Sequence, residues 1–153
     1  MVRDHEVASS ILVIRTMITK GDISESEILL ALLKLGIDVS VPYGYTHRYD
    51  LVIDVGGKLF RVQCKTGRQK DGFVEATTSS LDNLSHIHKS YETDVDFIAI
   101  HCATTSEVYL VKPEKKFVIR LRTAATKNKQ RKGIRFAGDY LLEDVLRGVA
   151  QSG

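Results

Sequence analysis

Cysteine is scarce in this chain, and the little there is forms no pattern. Of 153 residues only Cys64 and Cys102 are cysteines, without the paired spacing of a zinc site or a disulfide framework. Both fall in stretches of strand character, where a free thiol behaves as a small core hydrophobe. Long apolar runs are missing as well. The run Ile11-Leu12-Val13-Ile14 is broken by Arg15, Thr16 and Lys20, so neither a signal peptide nor a membrane span is expected. No repeat, linker or low-complexity tract divides the sequence. A reduced, cytoplasmic setting and one domain over residues 1–153 are the expectations that follow.

What is present is ordinary in bulk and uneven in detail. Hydrophobic residues make up 43% and charged residues 27%, enough for a core that needs no disulfide or metal staple. The net charge of +3 is mild, but it is not spread evenly. From Lys112 to Arg135 ten basic residues face the single acid Glu114, whereas residues 1–60 hold six basic and eight acidic ones. A basic block on a near-neutral body is the footprint of phosphate-backbone binding. Interleaved Phe117, Val118, Ile119, Leu121, Ile134 and Phe136 argue that the block is folded rather than a solvated tail.

Helical composition is read over about Glu6 to Ile18 and again from Asp22, a fitting N-cap, through Ile28 to Leu35, with Gly36 as the stop. Strands are expected at Ile37–Val41, at Phe73–Thr78, at Val95–Ile100, at Val108–Val111 and at Phe117–Leu121. A weak helix is read at Leu81–Tyr91 and a terminal one at Glu143–Ala150. The order implies an α/β sandwich built on a mixed sheet, with a core at about 20–111 and a basic extension at about 112–150.

The most telling segment runs from Tyr49-Asp50-Leu51-Val52-Ile53-Asp54 through Gly56-Gly57 to Lys58-Leu59-Phe60-Arg61-Val62-Gln63-Cys64-Lys65. Two β-type runs joined by a glycine pair predict a hairpin. Strand periodicity puts Gln63 and Lys65 on one face and Cys64 on the other. The turn folds Asp50 back beside them, so that a carboxylate, an amide oxygen and an ammonium meet. That grouping suits Mg²⁺ and a phosphate; an exposed Asp–Lys ion pair, worth about 0–1 kcal/mol, is the plainer alternative.

The ordered set Gly21-Asp22-Ile23-Ser24-Glu25, Gly36, Val41-Pro42, Tyr49 to Asp54 and Arg61-Val62-Gln63-Cys64-Lys65-Thr66 resembles the PD-(D/E)XK nuclease superfamily. It is most similar there to the group I intron homing endonucleases of that type, and the likeness extends to about residue 140 through Val95-Asp96-Phe97, Val108 to Pro113, Asn128-Lys129-Gln130 and Ile134 to Ala137. The resemblance implies a restriction-endonuclease-like αβββαβ core, a mixed central sheet flanked by helices. It also implies Mg²⁺ as cofactor, with Mn²⁺ as a substitute, and DNA, double-stranded or branched, as substrate. Asp50 takes the place of the metal-binding aspartate, Lys65 that of the motif lysine and Glu25 that of the acidic residue on the first core helix. Gln63 stands where Glu or Asp is usual. Its carbonyl can ligate Mg²⁺ but brings no charge, so weak metal affinity is expected before substrate phosphate arrives.

Other candidates have plainer readings beside the functional ones. Glu25 stands three residues after Asp22 and fits a capping box. Asp54 can share the Asp50 face, but it also precedes a glycine turn. His86 and His88 lack a third ligand, and Tyr43, Tyr45 and Tyr49 are expected to pack. Arg48, Arg68 and Lys70 flank the centre as phosphate contacts, while Arg120, Arg122, Lys127, Lys129, Arg131, Lys132 and Arg135 extend the DNA surface. A homing-type endonuclease is the leading expectation, working as a homodimer or homotetramer near the nucleoid. A Holliday-junction resolvase and a DNA-binding relative without catalysis are the alternatives.

Overall fold

The computed structural model describes residues 17–82 and 84–152; the helix expected over about Glu6 to Ile18 lies almost wholly outside them. The described chain begins with helix α1, Lys20–Lys34. Its N-cap is Thr19, not Asp22. The Thr19 hydroxyl accepts from the Asp22 amide at 3.2 Å, and the Asp22 carboxylate accepts from the Thr19 amide at 2.7 Å. This reciprocal box uses Asp22 as its third-position acid, which corrects the expected cap by three residues and releases Glu25 from any capping duty. At the other end Gly36 takes φ +73°, with Gly36 N donating to Leu33 O and Ile37 N to Leu32 O. That pair of bonds is a Schellman stop, which a left-handed residue makes possible.

The strands are β1 (Asp38–Ser40), β2 (Leu51–Val55), β3 (Lys58–Thr66), β4 (Arg68–Lys70), β5 (Phe73–Thr77), β6 (Ser79–Leu81), β7 (His88–Ser90), β8 (Phe97–Cys102), β9 (Glu107–Val111) and β10 (Val118–Arg122). A short 3₁₀ turn, Ala137–Tyr140, precedes helix α2, Leu142–Gln151. The central sheet has the order β1-β2-β3-β8-β9, parallel only between β3 and β8. The expected mixed α/β architecture, a mixed central sheet with flanking helices, is therefore what forms. No helix among the described residues is long and apolar enough to cross a membrane.

Two cores grip this sheet from opposite sides. On one, Ile28 and Leu32 of α1 and Leu142 and Leu146 of α2 pack on Leu51, Ile53, Val62, Cys64, Phe97 and Ala99. On the other, Ile98, Ile100 and Cys102 meet Val74, Ala76, Ile119 and Leu121. Those last four belong to a second sheet, β10-β5-β4. Strand β8 is buried along its whole length because its alternate residues serve both cores. Truncating a buried Ile or Leu at such positions costs about 2–5 kcal/mol. Both cysteines are free and buried, and burial pushes the Cys64 thiol well above its ordinary value.

One element departs from expectation. Leu81–Tyr91 contains no helix among its described residues; β6 and β7 pair there as a small antiparallel ribbon. The Asp82 carboxylate accepts from the Leu84 amide at 2.9 Å, and His86 turns the chain at φ +54°. Such local side-chain-to-backbone bonds compete with helix formation. The basic segment also proves to be structural at its start, since β10 pairs with β5 residue for residue from Val118↔Thr77 to Arg122↔Phe73.

Candidate active site

The β2–β3 hairpin forms as its sequence requires. Val55 pairs with Lys58, and both intervening glycines are left-handed, at φ +62° and +83°, the geometry of a type I′ turn. Asp54 accepts from the Gly57 amide at 2.9 Å, so it serves the turn. Register carries Leu51 opposite Val62, and the Asp50 amide donates to the Val62 carbonyl at 2.9 Å. Asp50 thus lies against the Gln63–Lys65 end of β3.

Its carboxylate is used asymmetrically. Oδ2 accepts from the Gln63 side-chain amide and from the Cys64 backbone amide, both at 2.7 Å. Oδ1 has no hydrogen-bond partner among the described residues. Because Gln63 presents its Nε2 to Asp50, its carbonyl oxygen is left for another partner. Burial is the main influence on Asp50 and raises its pKa, opposed by the Cys64 amide, Lys65 and Gln63. Glu25, on α1, is also raised, first by burial and then by the negative charge of Asp50. Two partly buried carboxylates that repel each other, with an amide oxygen beside them, form an oxygen donor set that a hard divalent cation satisfies. No group of three or more His, Cys, Asp or Glu residues suited to a metal occurs among the described residues, as follows from a glutamine holding the third place. Asp50, Gln63 and Glu25 are the residues whose oxygens would suit a hard divalent cation here.

Lys65 is held nearby, with Nζ 3.2 Å from the Tyr91 hydroxyl, 3.4 Å from the Ser79 carbonyl and 4.8 Å from the centre of the Tyr91 ring. These long contacts fix the ammonium without consuming it. No sequence signal marks Tyr91, which closes a stretch with the composition of a weak helix. Three further residues anchor the turn of α1 that carries Glu25. Ser24, next to it and buried, receives a hydrogen bond from Thr66 at 2.8 Å and lies 3.2 Å from His101 Nδ1. This triangle ties α1 to the ends of β3 and β8. No spacing in the sequence signals it.

The cationic candidates divide sharply. Arg48 is not a free phosphate contact: it donates to Asp94 at 2.6 Å, to Ser80 Oγ at 2.8 Å and to the Ser90 carbonyl at 2.9 Å, with its guanidinium 4.7 Å from the Tyr91 ring centre. It clamps the β6–β7 ribbon. Arg135 pairs with Glu114, Arg131 with Asp139 at 3.6 Å, and Arg120 with Glu75 at 2.6 Å. Arg122 donates to the Ala124 carbonyl at 2.8 Å. Arg68, Lys70, Lys127, Lys129 and Lys132 make no ion pair among the described residues. His88 lies 3.1 Å from Ser79 Oγ and stacks on Phe117. Tyr49 is partly buried against the second core, but Tyr43 and Tyr45 are fully exposed, contrary to the packing expected of them.

A carboxylate at the base of a hairpin, a Gln-x-Lys across from it and an acid on the preceding helix now stand together in space. The chain matches the PD-(D/E)XK endonuclease family over residues 17–143. It belongs to that family. Among solved structures, a bacterial homing endonuclease, I-Ssp6803I, is similar at 26% identity and a TM-score of 0.66, over 88% of this chain and 93% of that one. A comparison with curated proteins returned no match. As a PD-(D/E)XK endonuclease, the chain has nuclease chemistry as its activity, and nucleases of this family generally work with divalent metal ions.

Proposed function

We propose that this chain is a Mg²⁺-dependent DNA endonuclease of the homing type, hydrolysing phosphodiester bonds at a specific duplex site. The observation that carries the reading is the half-used Asp50 carboxylate, one oxygen held by two donors and the other without a hydrogen-bond partner among the described residues, with the Lys65 charge acting on the group. A divalent cation there, Mg²⁺ or in its place Mn²⁺, supplies polarisation of the scissile phosphate and a lower pKa for the attacking water. The protein does the remainder. The Cys64 amide and Gln63 hold the Asp50 carboxylate in place. Lys65, steadied by Tyr91, offers an ammonium to the attacking water or to the charge growing on the phosphate oxygens. Glu25 adds a second carboxylate, on a helix that the Ser24 triangle ties to the sheet.

Cutting both strands of a duplex calls for two such centres, so a homodimer or homotetramer is part of the proposal, as is an intracellular site beside the nucleoid. The neighbouring homing endonuclease supports the choice of DNA and of the homing type. The experiment is a Mg²⁺ titration of cleavage by wild type and Lys65→Ala on a plasmid library and on a four-way junction. Cuts at one repeated sequence, reduced at least ~100-fold in the variant, are the expected result. Cuts confined to the junction would replace homing with resolution. Equal cleavage by the variant would reject the site assignment.

A further inference from the structure

The second sheet turns an ordered row of side chains outward. Its register sets Arg68 opposite Glu75 and Glu75 opposite Arg120, then Lys70 opposite Phe73 and Phe73 opposite Arg122. Val74, Ala76, Ile119 and Leu121 alternate with these and point into the core. The outward rows therefore carry four cations and one acid. With Gly133, Ile134 and Arg135 at its side, the part of this face formed by Phe73, Glu75, Arg120 and Arg122 lines a groove of about 620 Å³.

The lone acid has a definite effect on its neighbour. Glu75 Oε2 accepts from Arg120 Nε at 2.6 Å, which engages the inner edge of the guanidinium. Neither terminal nitrogen of Arg120 has a partner among the described residues, and the side chain is 67% exposed. An exposed ion pair of this kind adds little to stability. Its effect is to hold a long side chain in one direction, leaving both outer nitrogens free to donate.

The row also lies near the catalytic strand. Gly67 alone separates β3 from β4, and a Cβ there would come within 2.8 Å of Ile100 and 2.9 Å of Val74. The chain can therefore pass directly from the catalytic sheet into the outward one. Lys65 and Arg68 are three residues apart, about 10 Å at the rise of a strand. Arg120 lies two strands beyond Arg68, roughly 10 Å further across the sheet, which keeps it within about one duplex turn of Lys65, and the major groove admits a β-ribbon.

We propose that Arg120, aimed by Glu75, reads a guanine in the major groove close to the cut, with β4–β5–β10 as the recognition surface. The inference rests on the DNA-endonuclease reading given above. Arginine's planar fork matches guanine O6 and N7 together in a fixed geometry, where a lysine ammonium is a flexible point charge. Arg120 is the base-reading residue and Glu75 a positioning residue. Lys70 and the loop lysines supply phosphate contacts, which hold register but carry no sequence.

The test is enrichment of bound duplexes from a randomised library by the full chain in EDTA, which does not depend on cleavage. Wild type is expected to enrich a site with a fixed guanine. Arg120→Ala is expected to lose that one preference and to bind the enriched site about ten- to a hundredfold less tightly, with random duplex affected little. Arg120→Lys keeps the charge but not the planar fork and should weaken the preference at the same position, which also serves if Arg120→Ala does not fold. Glu75→Gln should weaken preference at that position and no other, an outcome a merely structural role would not give. The proposal is overturned if Arg120→Ala weakens all sequences equally while the salt slope falls by about one, or if wild type enriches no guanine. A wild type that enriches a site but never cuts DNA in Mg²⁺ would instead count against the nuclease reading and leave the profile standing.

Discussion

Asp50 and Arg120 each make a hydrogen bond of 2.7 Å or shorter to a side chain across a strand pair, yet their surroundings are opposite. Asp50 is half-buried at the mouth of a hairpin, where its charge is costly and burial raises its pKa. Arg120 stands on an exposed sheet among other cations. The hairpin concentrates a few charges whose unmet demand a metal can answer. The second sheet and its loop spread many charges, some paired with acids and others without an ion pair among the described residues. The first arrangement suits chemistry at one atom, and the second suits holding and reading a long polyanion. Gly67 joins the two within a single residue.

The sharpest way to break this division is at Asp50. Asp50→Asn keeps an acceptor for the Gln63 and Cys64 amides but removes the charge, so cleavage should fall at least ~100-fold, with DNA affinity within a few-fold of wild type. The same change should raise the thermal stability of the metal-free protein at neutral pH, because it removes a charge that burial disfavours.

At the junction, Gly67→Ala should cost ~1–3 kcal/mol in urea unfolding, since its Cβ overlaps Ile100 and Val74. An unchanged midpoint would mean that the sheets are not held so closely. Gln63→Glu sharpens the comparison from the other side. It adds a third carboxylate beside Asp50 and Glu25, and the Mg²⁺ midpoint for cleavage should drop about tenfold while the metal-free protein loses stability.

The pH dependence follows from the raised pKa values of Asp50 and Glu25. A raised folded value means that their contribution to stability is fully present below the unfolded carboxylate range, near ~4. It is lost as pH rises through the folded values. Mg²⁺ should therefore raise Tm at neutral pH and do nothing at about pH 3, where both groups are protonated. A Mg²⁺ effect of equal size at both pH values would place the cation elsewhere. The smallest expected effect lies in the basic loop. Changing Lys129, Arg131 and Lys132 to Ala should flatten the salt dependence of DNA binding by about 0.9 for each phosphate no longer neutralised, with the cleavage rate of bound DNA unaltered. An unchanged slope would make the loop a solvated surface.

Much of the hairpin is legible in the sequence because its signals are local. Paired glycines, period-two alternation and the short separation of Asp50 from Gln63 leave little freedom in how the strands meet. Helix α1 is legible too, but its cap reads as Asp22 because the Asp22–Glu25 spacing imitates the box that Thr19 and Asp22 form. Leu81–Tyr91 misleads for a different reason, since the turn at Asp82 and the left-handed His86 override a weak apolar spacing. What the sequence does not reveal is non-local. Ser24, Thr66 and His101 meet only once α1 docks on the sheet, and Tyr91 reaches Lys65 only through the β6–β7 ribbon. Arg48 reads as a surface cation because nothing nearby in sequence announces Asp94 as its partner.

The most direct test of the metal centre is one Mg²⁺ titration read two ways, by cleavage rate and by Tm, for wild type and Asp50→Asn at neutral pH. The account predicts that in wild type both readouts rise over the same Mg²⁺ range, and that in Asp50→Asn neither responds. Full cleavage by Asp50→Asn, or an undiminished Mg²⁺ shift of its Tm, would contradict the assignment of Asp50 as the residue on which the site is built.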